Sequence, residues 1–103
     1  MASKINFGII GCSSVAKKSF IPAILKTNHA VLESVGSRSI SKSKLIAQKF
    51  HCKNFGNYCD VLENKKIDVV YISLPIALQE KWIMKAAKAG KHVLCEKSST
   101  ISY

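Results

Sequence analysis

At 103 residues the chain is long enough to bury one core, and short for an enzyme that must enclose both a cofactor and a substrate. A make-up of 48% hydrophobic and 21% charged residues with two prolines excludes a disordered chain, and no apolar stretch reaches the roughly eighteen residues of a membrane span. The net charge of +10 favours anionic partners, but fifteen of the sixteen cations are lysines with no block longer than two, which disfavours nucleic acid and points to a lysine-rich solvated surface.

The first predicted element is a strand over 5–10 (INFGII), an apolar run of the kind that a parallel strand covered on both faces carries. It runs into GIIGCSSVA, and a helical pattern starts at Ser14, with Ala16, Phe20, Ala23 and Ile24 on one buried stripe. Pro22 is expected to kink or restart that helix. A strand, a glycine turn and a helix in this order form a phosphate-cradling unit, whose turn here is Gly11, Cys12, Ser13, Ser14 and Val15. Gly11 makes the tight turn and Ala16 seats the helix. Ser13 stands where a second glycine normally leaves bare backbone for the diphosphate, so binding is expected to be weakened rather than abolished.

Residues 30–36 (AVLESVG) form the second strand, with Val31, Glu33 and Val35 on one face and Leu32 and Ser34 on the other, an imperfect alternation. The position after this strand, normally acidic to grip a ribose, is Ser37. Arg38, the only arginine, follows it. In GSRSISKSK the guanidinium, with Ser37, Ser39 and Lys42, suits a 2′-phosphate and favours NADP(H), with NAD(H) possible. The alternative is a polar β–α turn whose arginine faces solvent.

A helix over 42–50 follows, with Leu45, Ile46, Lys49 and Phe50 as its stripe, then a brief edge strand over 53–55 and a short helix over 58–64. Residues 67–74 (IDVVYISL) are the strongest strand signal, closed by Pro75. A helix over 77–89 carries Leu78, Trp82, Ala86 and Ala89 and stops at Gly90, and a last strand occupies 92–95. Alternating strands and helices with short connections predict an α/β fold: a doubly wound parallel sheet in three αβα layers, a Rossmann NAD(P)-binding fold, ordered 3-2-1-4-5. Ligands in such sheets lie beyond the carboxyl ends of the strands.

Cys12, Cys52, Cys59 and Cys95 have no metal-ligand spacing and are expected as reduced, mostly buried thiols, with no metal. No secretory leader is recognisable, so the expectation is a cytoplasmic protein with no membrane partner.

INFGIIGCSSVA, SVGSRS and IDVVYISLPIALQEKWIMKAAKAGKHVLCEKS, in this order, resemble the glucose-fructose oxidoreductase, inositol dehydrogenase and rhizopine-catabolism (Gfo/Idh/MocA) family of nicotinamide-dependent oxidoreductases. The resemblance implies that residues 1–103 are a dinucleotide-binding domain, and that the family's C-terminal substrate and oligomerisation domain is absent from this chain. It also implies that Leu74 and Pro75 line the cofactor, that Glu96 lies beside the nicotinamide ribose, and that Lys97 is the catalytic lysine reaching the substrate's reacting oxygen. Three positions depart from the family pattern: Ser13, Ser98 in place of a proline after the lysine, and Gln79 in place of a histidine often found there.

The function implied is NADP(H) binding for hydride transfer on a sugar, polyol or related ring alcohol or ketone. LPxxLxxxW, from Leu74 to Trp82, resembles the branch acting on pyranosides and keto-sugars. The chain alone is expected to be inactive, because the family's remaining acid/base groups come from the second domain, and His29, His51 and His92 do not replace them. The alternative is a truncated, non-catalytic relative acting as a nucleotide-binding or protein-interaction module. A homo-oligomer is expected.

Overall fold

A computed structural model of the chain describes residues 4–11 and 16–95. Strand β1 (Ile5–Ile10) is followed by a π-helical turn (Ala16–Phe20) that passes directly into α1 (Ile21–Lys26). Next come β2 (Ala30–Gly36), α2 (Ile40–Lys49), β3 (Asn54–Gly56) and α3 (Tyr58–Glu63). Then β4 (Val69–Ile72), α4 (Ile76–Lys88) and β5 (His92–Cys95) complete the described residues. All strand pairs are parallel, in the order β3-β2-β1-β4-β5. This is the doubly wound sheet that right-handed crossovers on both sides of β1 produce.

The sheet divides the core in two. Ile9, Leu32, Val35 and Tyr71 meet Ile21 and Ile24 of α1 and Ile46 of α2 on one face; Ile10, Val70 and Ile72 meet Val61 of α3 and Trp82 and Ala86 of α4 on the other. On the first face Phe20 stacks on Tyr71, with ring centroids 3.8 Å apart. On the second, Gly8 and Gly36 make room for Val61: a Cβ at either position would lie 2.6 or 2.7 Å from its methyl groups.

The imperfect alternation of β2 has a structural cause. Phe7 pairs with Leu32 but Gly8 pairs with Ser34, so β2 carries one extra residue at Glu33. That irregularity brings Leu32 and Val35, three apart in sequence, onto the same face.

Five expectations are corrected. The α2 helix begins at Ile40 rather than at 42, because Ser39 caps it by accepting the Lys42 N–H at 3.4 Å. Its buried face is Ser43, Ile46 and Ala47, while Leu45 is 66% exposed and Lys49 faces solvent. In α1 the buried pair is Ile21 and Ile24, and Ala23 is exposed, since the π-helical turn shifts the phase of the stripe. Finally, the thiols are not mostly buried: Cys59 and Cys95 are exposed, on a short surface helix and at an edge strand, and Cys52 is half-buried. Cys12 lies outside the described residues. Strand β4 is also shorter than 67–74, although Ile67 is buried.

Two helices end in the same hydrogen-bonded loop. At α4, Gly90 (φ +79°) donates to Ala87 O and Lys91 N–H to Ala86 O, as predicted for a glycine stop. At α2 the equivalent bonds run from His51 to Gln48 O and from Cys52 to Ala47 O, with His51 left-handed at φ 57°.

Candidate functional site

The turns that follow β1, β2 and β4 converge at the carboxyl edge of the sheet around a cleft of about 480 Å³. Gly11 forms its floor. Its N–H donates to Gly36 O at 3.0 Å, tying the end of β1 to the end of β2, and its φ of +88° is a conformation that a side chain opposes. A Cβ there would collide with the Ser73 carbonyl and lie 2.7 Å from Leu74 Cδ2. The space that a side chain would need is taken by the β4–α4 turn, so the glycine lets the ends of β1 and β4 close on one another, the tight-turn role of the first glycine in this fold.

The second wall comes from the β2–α2 turn. Ser37 is buried, and its N–H donates to Gly56 O at 3.1 Å, so the turn is anchored to β3. Arg38, Ser39 and Lys42 are exposed and line the cleft. Ser39 Oγ accepts the Lys42 N–H, which fixes the first turn of α2, and keeps its own proton to donate. None of the described residues lining the cleft is a carboxylate. The next acid in the chain, Asp60, is committed elsewhere: its Oδ2 accepts the Asn57 N–H at 2.9 Å while Asn57 Oδ1 accepts the Asp60 N–H, a reciprocal cap on α3. The electrostatics of this wall are accordingly cationic, and suit an anion rather than a ribose diol.

The third wall is the β4–α4 turn. Ser73 N–H donates to Ile10 O at 2.8 Å, and Leu74 and Pro75 follow on the cleft surface. Gln79 Nε2 donates to Leu74 O at 2.9 Å.

Of the predicted site residues, Gly11, Ser37, Arg38, Lys42, Leu74 and Pro75 all line this one cleft. Cys12, Ser13, Ser14, Val15, Glu96 and Lys97, like Ser98, lie outside the described residues. The last described strand, β5, ends at Cys95 opposite Ile72, on the same sheet edge as the cleft. Sequence reading missed Tyr58, Ser73 and Leu78. Tyr58 stands in the first turn of α3, where the end of β3 delivers it, and its ring meets Trp82 edge-on at 4.9 Å and 78°. The rule that ligands lie beyond the carboxyl ends of the strands applies to β3 as well, and was the available signal for Tyr58.

Among the described residues there is no group of three His, Cys, Asp or Glu side chains able to hold a metal, and no helix long and apolar enough to cross a membrane.

The profile of an oxidoreductase family, GFO_IDH_MocA, described as an NAD-binding Rossmann fold, matches residues 5–103. The chain is 38% identical over 96 residues to a dTDP-3,4-didehydro-2,6-dideoxy-α-D-glucose 3-reductase of Streptomyces violaceoruber, covering 93% of this chain and 28% of that protein. It is 36% identical over 97 residues to a D-xylose 1-dehydrogenase (NADP+) of Haloferax volcanii, covering 93% and 30%. Among solved structures, KijD10, a 3-ketoreductase from Actinomadura kijaniata in complex with TDP-benzene and NADP, superposes with a TM-score of 0.88 at 33% identity, over 93% of this chain and 30% of that one. The chain thus spans less than a third of the length of these relatives.

Proposed function

The chain belongs to the Gfo/Idh/MocA oxidoreductase family, within its NAD-binding Rossmann fold, and from that premise we propose that it binds NADP(H) in preference to NAD(H). The observation that carries this reading is the cleft itself. The tight turn at Gly11 shares it with an anchored turn presenting Arg38, Ser39 and Lys42, and no carboxylate stands among the described lining residues. Gly11 would receive the diphosphate, Arg38 and Lys42 the 2′-phosphate, and Leu74, Leu78 and Tyr58 the apolar faces between them.

Such a cofactor supplies a nicotinamide carbon that gives or takes a hydride. The reaction proposed is hydride transfer on a ring alcohol or ketone of a sugar or sugar-like compound. The support is that the relatives include a keto-sugar reductase and a xylose dehydrogenase. Lys97, two residues past the end of β5, is the proposed proton donor or acceptor at the reacting oxygen, with Glu96 beside the nicotinamide ribose. Further substrate-binding groups are assigned to a second domain of the kind that the longer relatives have room for.

The test is a melting experiment on the purified chain with NADPH and with NADH at matched concentration and moderate salt. A ligand that binds only the folded state raises the midpoint with its affinity. A larger rise with NADPH supports the reading; equal rises remove the preference, and no rise with either removes cofactor binding.

A further inference from the structure

We propose that Gln79 is a positioning residue for the dinucleotide, its amide clamping the Leu74–Pro75 turn against Gly11; this rests on the reading that a dinucleotide occupies the cleft. The β4–α4 turn is tied down on its strand side by Ser73 N–H, which donates to Ile10 O. On its helix side the cap residue, Pro75, makes no side-chain cap bond. The backbone N–H groups of Leu78 and Gln79 both go to Pro75 O, at 2.9 and 3.1 Å. Leu74 O is instead reached by the Gln79 side chain, whose Nε2 donates at 2.9 Å from a half-buried position one helical turn further on.

Main chain and side chain of one residue therefore bond two successive carbonyls of the turn, Pro75 O and Leu74 O. What the clamp holds is functionally placed. Leu74 Cδ2 lies 2.7 Å from where a Gly11 Cβ would be, so Leu74 packs directly on the floor that receives the diphosphate. A carbonyl held in this way restrains the Leu74–Pro75 peptide, and with it the backbone from which the Leu74 side chain reaches that floor. Arg38 and Lys42 stand on a different turn, bonded to β3 rather than to α4, so the clamp acts on one wall of the cleft and leaves the other untouched.

The test is calorimetric titration of Gln79→Met, which keeps length without a donor, and Gln79→Glu, which keeps shape without an amide. Each is titrated with NADP+ and with adenosine 2′-monophosphate, a fragment that lacks both the diphosphate and the nicotinamide half. Loss of one hydrogen bond predicts NADP+ affinity about 3- to 10-fold lower in both variants. The fragment, held by Arg38 and Lys42, is expected to bind as it does to the unsubstituted chain. Equal losses for both ligands indicate general loosening of the fold and overturn the proposal, as does unchanged NADP+ affinity in either folded variant. If the unsubstituted chain takes up neither ligand, the dinucleotide reading fails and the role of Gln79 falls with it.

Discussion

Arg38→Ala separates a phosphate-gripping guanidinium from a solvated one. Arg38 lies on the anchored β2–α2 turn, exposed on the cleft wall, with Lys42 as the other cation and no carboxylate among the described lining residues. A charge-assisted bond from such a group contributes about 1.5–3 kcal/mol, and exposure to solvent and salt places the expected value toward the lower end. The corresponding loss of NADPH affinity is about 10- to 30-fold, since each 1.4 kcal/mol or so is tenfold. NADH has no 2′-phosphate, and its affinity should change less than about twofold. Lys42 remains in the variant, so a residual preference for NADPH is expected, one that falls further as salt is raised.

Trp82, the only tryptophan, reports binding optically, because its neighbour Tyr58 lines the cleft. Quenching of its emission by each dinucleotide, cross-checked by calorimetry, gives both affinities. Equal losses for NADPH and NADH would show that Arg38 supports the turn rather than the phosphate, and no loss for either would leave it a solvent-facing residue.

Three further outcomes are expected. Gly11→Ala places a methyl group on the Ser73 carbonyl at φ +88°, whereas Gly90→Ala, at φ +79° with nothing within 4 Å, suffers only the backbone strain. Denaturant titration should show a loss of about 1 kcal/mol for Gly90→Ala and at least about 2 kcal/mol for Gly11→Ala, and equal losses would contradict the collision at the floor. His51→Gly relieves a left-handed histidine at the end of α2 and should stabilise the chain by about 0.5–1 kcal/mol in the same assay; destabilisation would mean that the imidazole holds something worth more than the strain. Burial pushes the Cys52 thiol above the usual 9.0, opposed by hydrogen bonding with the Asn54 backbone and reinforced by Glu33. Its folded form holds the proton more tightly than the unfolded one. The resulting stability is complete below about pH 9 and is lost as pH rises from there toward the folded value. Denaturation midpoints against pH should fall less steeply above pH 9 in Cys52→Ala than in the parent, and alkylation should reach Cys59 and Cys95 before Cys52.

Much of the fold was legible because it rests on local rules. The apolar run of β1, the β-branched run ending β4 at Ile72, the glycine stop at Gly90 and short connections are each readable within a few residues. Handed crossovers then leave little choice of strand order. Most of the described cleft was legible for the same reason: Gly11, Ser37, Arg38, Ser39, Lys42, Leu74 and Pro75 occupy turns whose place in a doubly wound sheet is fixed once the strands are known.

The sequence by itself determined the element types, the parallel order of the sheet and the edge at which the cleft opens, because backbone hydrogen bonding and chain handedness are short-range constraints. Only the tertiary structure decided which face of α2 is inside, and it chose Ser43 and Ala47 over Leu45, with the buried Ser43 hydroxyl satisfied by donating to Ile40 O. It alone decided that an extra residue in β2 brings Leu32 and Val35 together, that Val61 fills the space left by Gly8 and Gly36, and that Tyr58 and Leu78 reach the cleft. These outcomes depend on how elements distant in sequence pack against one another, and no periodicity within a single segment records that.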